Sequence, residues 1–296
     1  MPKIKEKLPT ISVIVATKNE ERNVERIIAS VKKQQYPENN VELIFVDNGS
    51  TDLTLSLLKK SKVKFFELAK ERSLKGVKNF RGAQVNFGVD KSKGEIIFFP
   101  DADMTFDSGL FLEAAKLLSK KFDALYVPEV VVGRGYFGKI RNFERSFYNQ
   151  TPIDAVRFVK KDFFQKIGGF DVKNIVFAPD DWDLTKMLKK AGAKLGITKK
   201  PLFHHEEWLT LGIYLSKKEK YLNTFNGYIK KWGVADPDIK KQFGLSYRYF
   251  GVFLEFGKWR KIIRHPILSA SMFFVRFLVG AKYLMFRLRN YNSCII

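Results

Sequence analysis

Cysteine is almost absent from this chain of 296 residues, which contains one, Cys294. A single thiol excludes a disulfide framework and a zinc site built from cysteines. The first ten residues, MPKIKEKLPT, contain no apolar run of the kind that a signal peptide requires. Together these two features predict a protein that stays in the reducing cytosol.

Acidic residues are also scarce: 31 Asp and Glu stand against 53 Lys and Arg, which gives a formal net charge of +22. This excess predicts an acidic partner, either nucleic acid, an anionic lipid surface or a phosphorylated small molecule. A nucleic-acid binder would concentrate its cations on one helix or interleave them with stacking aromatics. Here lysine is spread along the chain, and the densest basic and aromatic region is also the most apolar. We therefore predict an anionic membrane surface as partner and no nucleic acid.

Short apolar runs alternate with segments of helical period from Ile11 to about Ile197. The runs ISVIVA, VELIFV, VKFFEL and EIIFF have the length and composition of strands buried on both faces. They predict an α/β fold with a mainly parallel sheet. After Gly233 the composition changes to aromatics and cations, so we predict a main domain over residues 1–235 and a second segment over residues 236–296.

Polar and mostly acidic turns follow three of these predicted strands: TKNEERN, VDNGSTD and DAD. In open α/β sheets ligands bind beyond the carboxyl ends of the strands. A turn after Pro100 can bring Asp101 and Asp103 around one cation or one ribose. In the second turn, Asp47 could accept a hydrogen bond from a nucleobase. Each motif taken alone is also compatible with a plain helix-capping turn.

A third acidic cluster stands in the stretch IGGFDVKNIVFAPDDWDL. Asp180, Asp181 and Asp183 open a predicted helix, and one acid would be enough to cap it. A carboxylate partly buried by Trp182 and Phe177 would have a raised pKa, which suits a general base.

Taken in order and spacing, TKNEERN, VDNGSTD, RGAQVNFGVDKSKGEIIFFPDAD and IGGFDVKNIVFAPDDWDL resemble the family 2 glycosyltransferases of the GT-A fold. The resemblance extends from about Ile11 to Trp232. It implies a Rossmann-like mixed sheet flanked by helices, with the catalytic domain in residues 1–235. It also implies an inverting displacement at the anomeric carbon of a nucleotide-diphospho-sugar.

The resemblance implies a role for each matching residue. Asp103, with Asp101 and His204, would hold Mg²⁺ or Mn²⁺, which neutralises the leaving diphosphate. Asp181 looks like the catalytic base, and Asp180 stays open as an alternative because the family more often has Glu there. The residues that would bind the donor nucleotide are Thr17, Asn19, Glu20, Asp47, Asn48, Arg81, Asp101 and Ala102.

The segment HHEEWLTL is the next candidate site, and we expect His204 to reach the diphosphate from a late loop. His204 and Glu206 match a His-x-Glu that some family members have before a helix rich in Lys and Tyr, here SKKEKY. The resemblance implies contacts to the acceptor or to a phosphate from Trp182, Glu206, Lys218 and Tyr221. A solvated histidine pair is the alternative.

The sequence GRGYFG, residues 133–138, formally satisfies the dinucleotide pattern GxGxxG. It lies in the middle of the chain, and the nearest acid, Asp154, comes too soon and before its strand. We therefore expect no NAD site there and predict a mobile loop near the acceptor.

The stretch from Pro266 to Leu288 is long enough to cross a bilayer, but it contains Arg276 and Lys282 near its middle. Each would cost about 2.5 to 3.5 kcal/mol at the bilayer centre. One or two amphipathic helices lying in the membrane interface are the favoured prediction. A spanning helix and a helix packed on the domain remain alternatives.

These observations predict a membrane-associated inverting hexosyltransferase that uses a UDP- or GDP-sugar. Its acceptor would be linked to polyprenyl phosphate or be a polysaccharide, at the cytoplasmic face of the membrane. A nucleotidyltransferase that makes the sugar nucleotide is one alternative, although it would want a glycine- and basic-rich loop where this chain has TKNEERN. A basic adaptor protein without enzymatic activity is the other.

Overall fold

The structure, a computed structural model, describes residues 8–222 and 224–289, with the backbone alone for residues 286–289. The predictions for Cys294 and for the first seven residues lie outside this part. Ten strands are described: β1 Ile11–Thr17, β2 Val41–Asp47, β3 Lys64–Glu67, β4 Ile96–Phe98, β5 Met104–Phe106, β6 Ala124–Tyr126, β7 Glu129–Gly133, β8 Val156–Lys160, β9 Leu195–Ile197 and β10 Leu202–Glu206. The α-helices in the same ranges are α1 Val24–Lys32, α2 Thr54–Lys60, α3 Leu68–Glu71, α4 Phe80–Asp90, α5 Leu110–Lys120, α6 Gly135–Arg145, α7 Lys161–Lys166, α8 Asp180–Lys190, α9 Leu211–Leu222, α10 Asn226–Trp232, α11 Pro237–Phe243, α12 Val252–Leu254, α13 Trp259–Arg264 and α14 Pro266–Arg289.

Seven strands form the main sheet, in the order β3-β2-β1-β4-β8-β6-β9. Strand β1 pairs in parallel with β2 and β4, whereas β8 pairs antiparallel with β4 and β6. The predicted α/β fold with a mixed, mainly parallel sheet is confirmed. This order brings the carboxyl ends of β1, β2 and β4 to one edge.

Both faces of the main sheet are buried, because alternate residues of β1 point to opposite sides. Val13 and Val15 pack with α1 and α5 on one face, and Ile14 packs with α4 on the other. Helix α4 approaches β1 so closely that a Cβ on Gly88 would lie 2.3 Å from Ile14 Cγ2. The apolar runs of the sequence therefore form the core that supports the strand ends.

A second sheet of three strands, β5-β10-β7, covers the same edge. His204 lies within β10, paired between Met104 of β5 and Val131 of β7. The expectation that His204 belongs to a late loop is therefore wrong. The loop predicted at GRGYFG is also wrong, because Gly135 begins helix α6, and backbone contact between Gly133 and Gly138 leaves no room for a Cβ on either residue.

Helix α14 packs along α6 and α9 through Met272 and Val275, which join an apolar cluster with Ile140 of α6. Arg276 is 5% exposed and lies inside this contact. The opposite face of α14 is open, with Ile267 74% and Phe277 65% exposed. By length and composition α14 could cross a membrane, but one of its faces is packed against the domain.

Candidate active site

The polar turns after β1, β2 and β4 meet at one edge of the main sheet. Thr17 is the register partner of Asp47, and Asp101 forms a bridge to Ala16. The Asn19 side chain accepts a hydrogen bond from the Thr51 backbone N at 2.8 Å, which joins the first turn to the second. The three turns that the sequence singled out therefore form one continuous surface.

Asp47 has a fully buried side chain that shapes its own turn. Its Oδ2 accepts from the backbone N of Gly49 and of Ser50, both at 2.9 Å, and its Oδ1 accepts from the Ser50 hydroxyl. Gly49 has φ of 74°, a conformation that glycine adopts without strain. Asn48 beside it is half-buried, and its side chain makes no hydrogen bond within the described ranges, so Asn48 is the polar group that this turn offers to a ligand.

Glu20 lies half-buried at the end of the first turn and accepts a hydrogen bond from Asn23 Nδ2 at 2.7 Å. Burial is the main cause that raises the pKa of Glu20 to about 7. The carboxylates of Asp103 and Asp101 act in the same direction, since a nearby negative charge disfavours ionisation. Ala102 is buried between those two acids and shapes their turn.

Arg81, near the start of α4, stands at the centre of the acidic cluster. Its Nε donates to Asp101 Oδ1 at 2.9 Å, and its Nη1 donates to Asp180 Oδ2 at 3.2 Å and to Asp181 Oδ1 at 3.0 Å. Arg157 of β8 pairs with the other oxygen of Asp101 at 3.2 Å. Burial would raise the pKa of Asp101, but the two guanidinium groups hold it well below its usual range. Arg81 and Arg157 therefore offset the negative charge of Asp101 in the DAD motif.

Asp180 and Asp181 begin α8 side by side, but their surroundings differ. The Asp180 side chain is 3% exposed and accepts from Asn79 Nδ2 at 3.0 Å, and burial raises its pKa. The Asp181 side chain is 19% exposed and keeps access to solvent. Of the two, Asp181 is the more exposed.

Other acids and aromatics of this motif serve the fold. Asp183 is buried and bonded to Lys231 Nζ at 2.8 Å and to Trp232 Nε1 at 2.6 Å. Trp182 turns away from the cluster, where its Nε1 donates to the Ile153 carbonyl at 3.0 Å and its ring stacks on Phe225. The structure thus places the Trp182 ring in a separate apolar cluster with Phe225, Tyr228 and Phe243, and not against the carboxylate of Asp181.

Asp103 and His204 form a second polar group at the same edge. His204 Nε2 lies 3.1 Å from Asp103 Oδ2, and His204 Nδ1 lies 2.9 Å from Glu129 Oε1. Burial would lower the pKa of His204, but Glu129 and Asp103 raise it well above its usual value. These two carboxylates therefore favour the protonated form of the imidazole.

The donors of this group fit a divalent cation. Asp103 Oδ1 is buried and has no hydrogen-bond partner in the described part of the chain, and carboxylate oxygen is a ligand that Mg²⁺ and Mn²⁺ accept. Glu129 can hold the proton on His204 Nδ1, which leaves Nε2 free to face an ion. No three His, Cys, Asp or Glu side chains among residues 8–222 and 224–289 could hold an ion by themselves. The side chains in this group that could bind a cation are therefore those of Asp103 and His204, whereas Asp101 is paired with Arg81 and Arg157.

Of the residues predicted for the acceptor side, Lys218 and Tyr221 lie on α9 and Glu206 contacts α6. Glu206 accepts from Arg141 Nε at 3.2 Å, and Arg141 also bonds to Glu144 at 2.7 Å. Lys218 Nζ lies over the rings of Tyr214 and Tyr221, at 5.2 and 5.7 Å. Burial and, to a smaller extent, the charges of Asp101 and Asp180 raise the pKa of Tyr221, so this ring lies near the acidic cluster. Glu206 and Lys218 are held by contacts with Arg141 and Tyr214, and their predicted role stays a prediction.

Three site residues escape sequence reasoning: Asn79, Glu129 and Arg157. Glu129 begins the otherwise apolar strand EVVVG, and Arg157 stands between apolar residues in VRFVK, and these charges in apolar surroundings are the one signal that could have found them. A charge buried in a strand requires a partner, and that partner lies far away in sequence.

A family model provides the decisive comparison. The model described as Glycosyl transferase family 2 matches residues 12–175, more than half of the chain. The chain belongs to this family.

Individual relatives agree with the family assignment. Glycosyltransferase AglE of Haloferax volcanii is 32% identical over 81% of this chain and 79% of its own length. Beta-monoglucosyldiacylglycerol synthase of Nostoc is 25% identical over 60% of this chain, which spans only 41% of that protein.

Solved structures share the GT-A fold with this chain. The mannosyltransferase PcManGT from Pyrobaculum calidifontis, in complex with GDP-Man and Mn²⁺, has a TM-score of 0.58 at 19% identity, covering 93% of this chain and 76% of that one. Staphylococcus aureus TarS, residues 1–349 with UDP-GlcNAc, has a TM-score of 0.52 at 15% identity, covering 89% of this chain and 79% of that one. The predicted family and fold are both confirmed.

Proposed function

We propose that this family 2 glycosyltransferase is an inverting hexosyltransferase that moves a sugar from UDP or GDP to a lipid-linked or polysaccharide acceptor. One observation carries the proposal: of the two acids that begin α8, Asp181 is the more exposed, with 19% of its side chain accessible against 3% for Asp180. Arg81 holds its Oδ1 at 3.0 Å, while Arg157 lies 3.7 Å from its Oδ2, beyond hydrogen-bond distance. This arrangement leaves Oδ2 of Asp181 able to act as a base.

The donor nucleotide would lie across the ends of β1, β2 and β4. Asn48 offers the free side chain of the second turn, while Thr17 and Asp47 hold that turn in shape. Glu20 and Asn19 border the same surface, and Asp101 lies next to it. The topology of the sheet supports this placement of the nucleotide, because open α/β sheets bind ligands beyond the carboxyl ends of their strands.

In the transfer step the Asp181 carboxylate takes the proton of the acceptor hydroxyl as its oxygen attacks the anomeric carbon. Arg81 and Arg157 hold Asp181 and Asp101 in position by ion pairs, and the buried Nη2 of Arg81 has no hydrogen-bond partner in the described ranges. That nitrogen can donate to the negatively charged donor. In-line attack opposite the leaving nucleotide would invert the anomeric configuration.

A divalent cation, Mg²⁺ or Mn²⁺, would be held by Asp103 and His204, with Glu129 orienting the imidazole. When bound, such an ion neutralises the charge that develops on the leaving diphosphate. The Mn²⁺ named with PcManGT supports this assignment by fold similarity.

The acceptor side would face a membrane. The open side of α14 and the helix before it expose Trp259, Ile263, Ile267 and Phe277, and cations such as Arg260 and Arg264 flank them. Large exposed apolar patches mark sites of membrane or protein contact, and cations beside them suit anionic lipid headgroups. We place the chain peripherally at the cytoplasmic face of the membrane, and the glycolipid in the name of the Nostoc relative supports only the membrane part of this proposal.

The test is sugar transfer or donor hydrolysis by the full chain with a panel of UDP- and GDP-sugars. We expect activity that EDTA abolishes and Mg²⁺ or Mn²⁺ restores, and loss of at least a hundredfold in Asp181→Asn with nucleotide binding retained, since general-base groups contribute about 10²- to 10⁴-fold. Asp180→Asn is the matched control for the choice of base. A full-activity Asp181→Asn variant, or a wild type that binds no UDP or GDP, would contradict the proposal.

A further inference from the structure

A long apolar groove lies between α6 and α14, with a volume of about 510 Å³. Six of its lining residues are apolar: Phe137, Ile140, Leu211, Ala270, Phe274 and Val275. Phe274 is 60% exposed and joins the groove to the open apolar face of α14. The groove therefore opens toward the surface that would meet a membrane.

The polar atoms of the groove are already used. Tyr136 and Ser271 are the two polar residues in the lining, and their hydroxyls hydrogen-bond to each other at 2.9 Å. A sugar placed here would leave its hydroxyls without partners, at a cost of about 1 to 3 kcal/mol for each buried group. A hydrocarbon chain meets no such cost, so the lining favours a lipid over a glycan.

Helix α9 connects the groove with the acidic cluster. Leu211, Tyr214, Lys218 and Tyr221 follow one another at spacings of three or four residues and so share one face of the helix. Leu211 lines the groove, whereas the Tyr221 ring lies 5.8 Å from that of Phe177, which precedes Asp180 and Asp181. Ten residues of helix correspond to about 15 Å. The distance along α9 from the groove to the residues beside the acidic cluster is therefore one that an extended molecule can span.

Positive charge stands on this path between the two ends. Lys217 and Lys218 have no carboxylate within 4 Å among the residues that the structure describes, and the same holds for Arg134, which caps the start of α6. Burial and the neighbouring Arg141 guanidinium lower the pKa of Lys218 to about 7. The carboxylate of Glu144 acts on Lys218 only from a distance, as those of Glu206 and Asp103 do on Lys217, so a phosphate would supply a closer counter-charge.

We propose that the acceptor is a sugar linked to a lipid phosphate, with its hydrocarbon chain in the groove between α6 and α14 and its phosphate against Lys217 and Lys218. This inference rests on the proposed transferase function and names its acceptor. The acceptor sugar then lies one helical turn further, beside Tyr221 and Asp181. Its hydroxyl oxygen bonds to the anomeric carbon, its proton passes to Asp181, and the bond from that carbon to the diphosphate breaks with its electron pair on the diphosphate.

The test is binding of a C20 polyprenyl monophosphate to the full chain in neutral lipid nanodiscs, compared with C20 polyprenol and with methyl phosphate. We expect saturable binding of the polyprenyl phosphate, at least tenfold tighter than either comparison ligand. Equal binding of polyprenol would overturn the phosphate assignment, and equal binding of methyl phosphate would overturn the groove assignment.

Variants separate the two contacts. Ala270→Trp fills the groove and should weaken polyprenyl phosphate binding at least tenfold, while Ile267→Trp on the open face of the same helix should not. The double variant Lys217→Gln and Lys218→Gln should bind the phosphate no better than the polyprenol. Unchanged affinity in Ala270→Trp, with an unfolding temperature equal to that of Ile267→Trp, would refute the groove.

Donor binding distinguishes the two proposals. A chain that binds UDP or GDP but shows no preference for the lipid phosphate keeps its transferase function and loses this acceptor. A chain that binds the lipid phosphate but no nucleotide loses the transferase function instead.

Discussion

Arg276 in the middle of α14 tests whether this helix belongs to the folded domain. Its Nη1 donates to Glu144 Oε1 at 2.8 Å and to the Tyr148 hydroxyl at 2.7 Å, and its Nη2 donates to the Arg248 carbonyl. The residue is 5% exposed. Arg276→Met keeps most of the apolar volume and removes these bonds, which leaves Glu144 with Arg141 as its remaining cation.

Breaking a buried ion pair by removing one partner costs about 3 to 5 kcal/mol. Because Glu144 keeps one arginine, we expect a loss near the lower end, about 3 kcal/mol in the free energy of unfolding, measured by urea denaturation with tryptophan fluorescence. Lys282→Met is the matched control on the same helix. Its pair with Glu219 is exposed, 44% and 37% for the two side chains, and such pairs contribute about 0 to 1 kcal/mol. Equal small losses in both variants would refute the packing of α14 on α6.

Three further perturbations follow from single contacts. Gly88→Val should destabilise the fold by at least 1 to 3 kcal/mol, because even a Cβ would overlap Ile14; a wild-type unfolding midpoint would show that α4 can move away. Glu20→Gln should remove a pH dependence of the free energy of unfolding. The folded pKa of about 7 exceeds the ordinary 4.5, so the wild type loses stability as pH rises through this range, by about 1 to 3 kcal/mol after allowance for partial exposure. Identical pH profiles of the two proteins would contradict the raised pKa. Ile263→Asp with Phe277→Asp should weaken sedimentation with anionic vesicles at least tenfold, because burying each large apolar side chain is worth about 1.5 to 3 kcal/mol; unchanged sedimentation would place the membrane contact elsewhere.

The main sheet was predictable because local pattern and long-range packing agree there. Strand β1 is apolar along almost its whole length, and burial on both faces requires that composition. The small sheet was not predictable in the same way. Strand β10 reads LFHHE, and its charged half is compatible with a strand only because β5 and β7 enclose it.

The candidate site likewise has a part that the sequence predicted and a part that it did not. The order of the acidic turns identified the residues that meet at the strand ends, since parallel strands bring their carboxyl ends together. The pairing of Asp101 with Arg81 and Arg157 depends on contacts across 20 and 56 positions of sequence, which no local pattern encodes. For the same reason the sequence did not reveal that Asp47 is enclosed by its own turn, nor that Trp182 faces away from Asp181.

The packing of α14 against α6 and α9 confirms one of the three alternatives that its sequence allowed, while the interfacial helix stays a prediction. Arg276 makes a span unfavourable, and the structure gives this charge a partner inside the domain. The opposite face keeps the exposed apolar residues of an interfacial helix. Hydropathy alone could not separate these outcomes, because it averages over both faces of the helix.

The anomeric configuration of the product tests the central claim most directly, namely that one in-line displacement takes place at the cluster of Arg81 and Asp181. The full chain forms the product from a UDP- or GDP-sugar, and proton NMR of the hydrogen on the new glycosidic carbon gives its configuration. The account predicts a configuration opposite to that of the donor, and loss of this product in Asp181→Asn. A product that retains the donor configuration would contradict it.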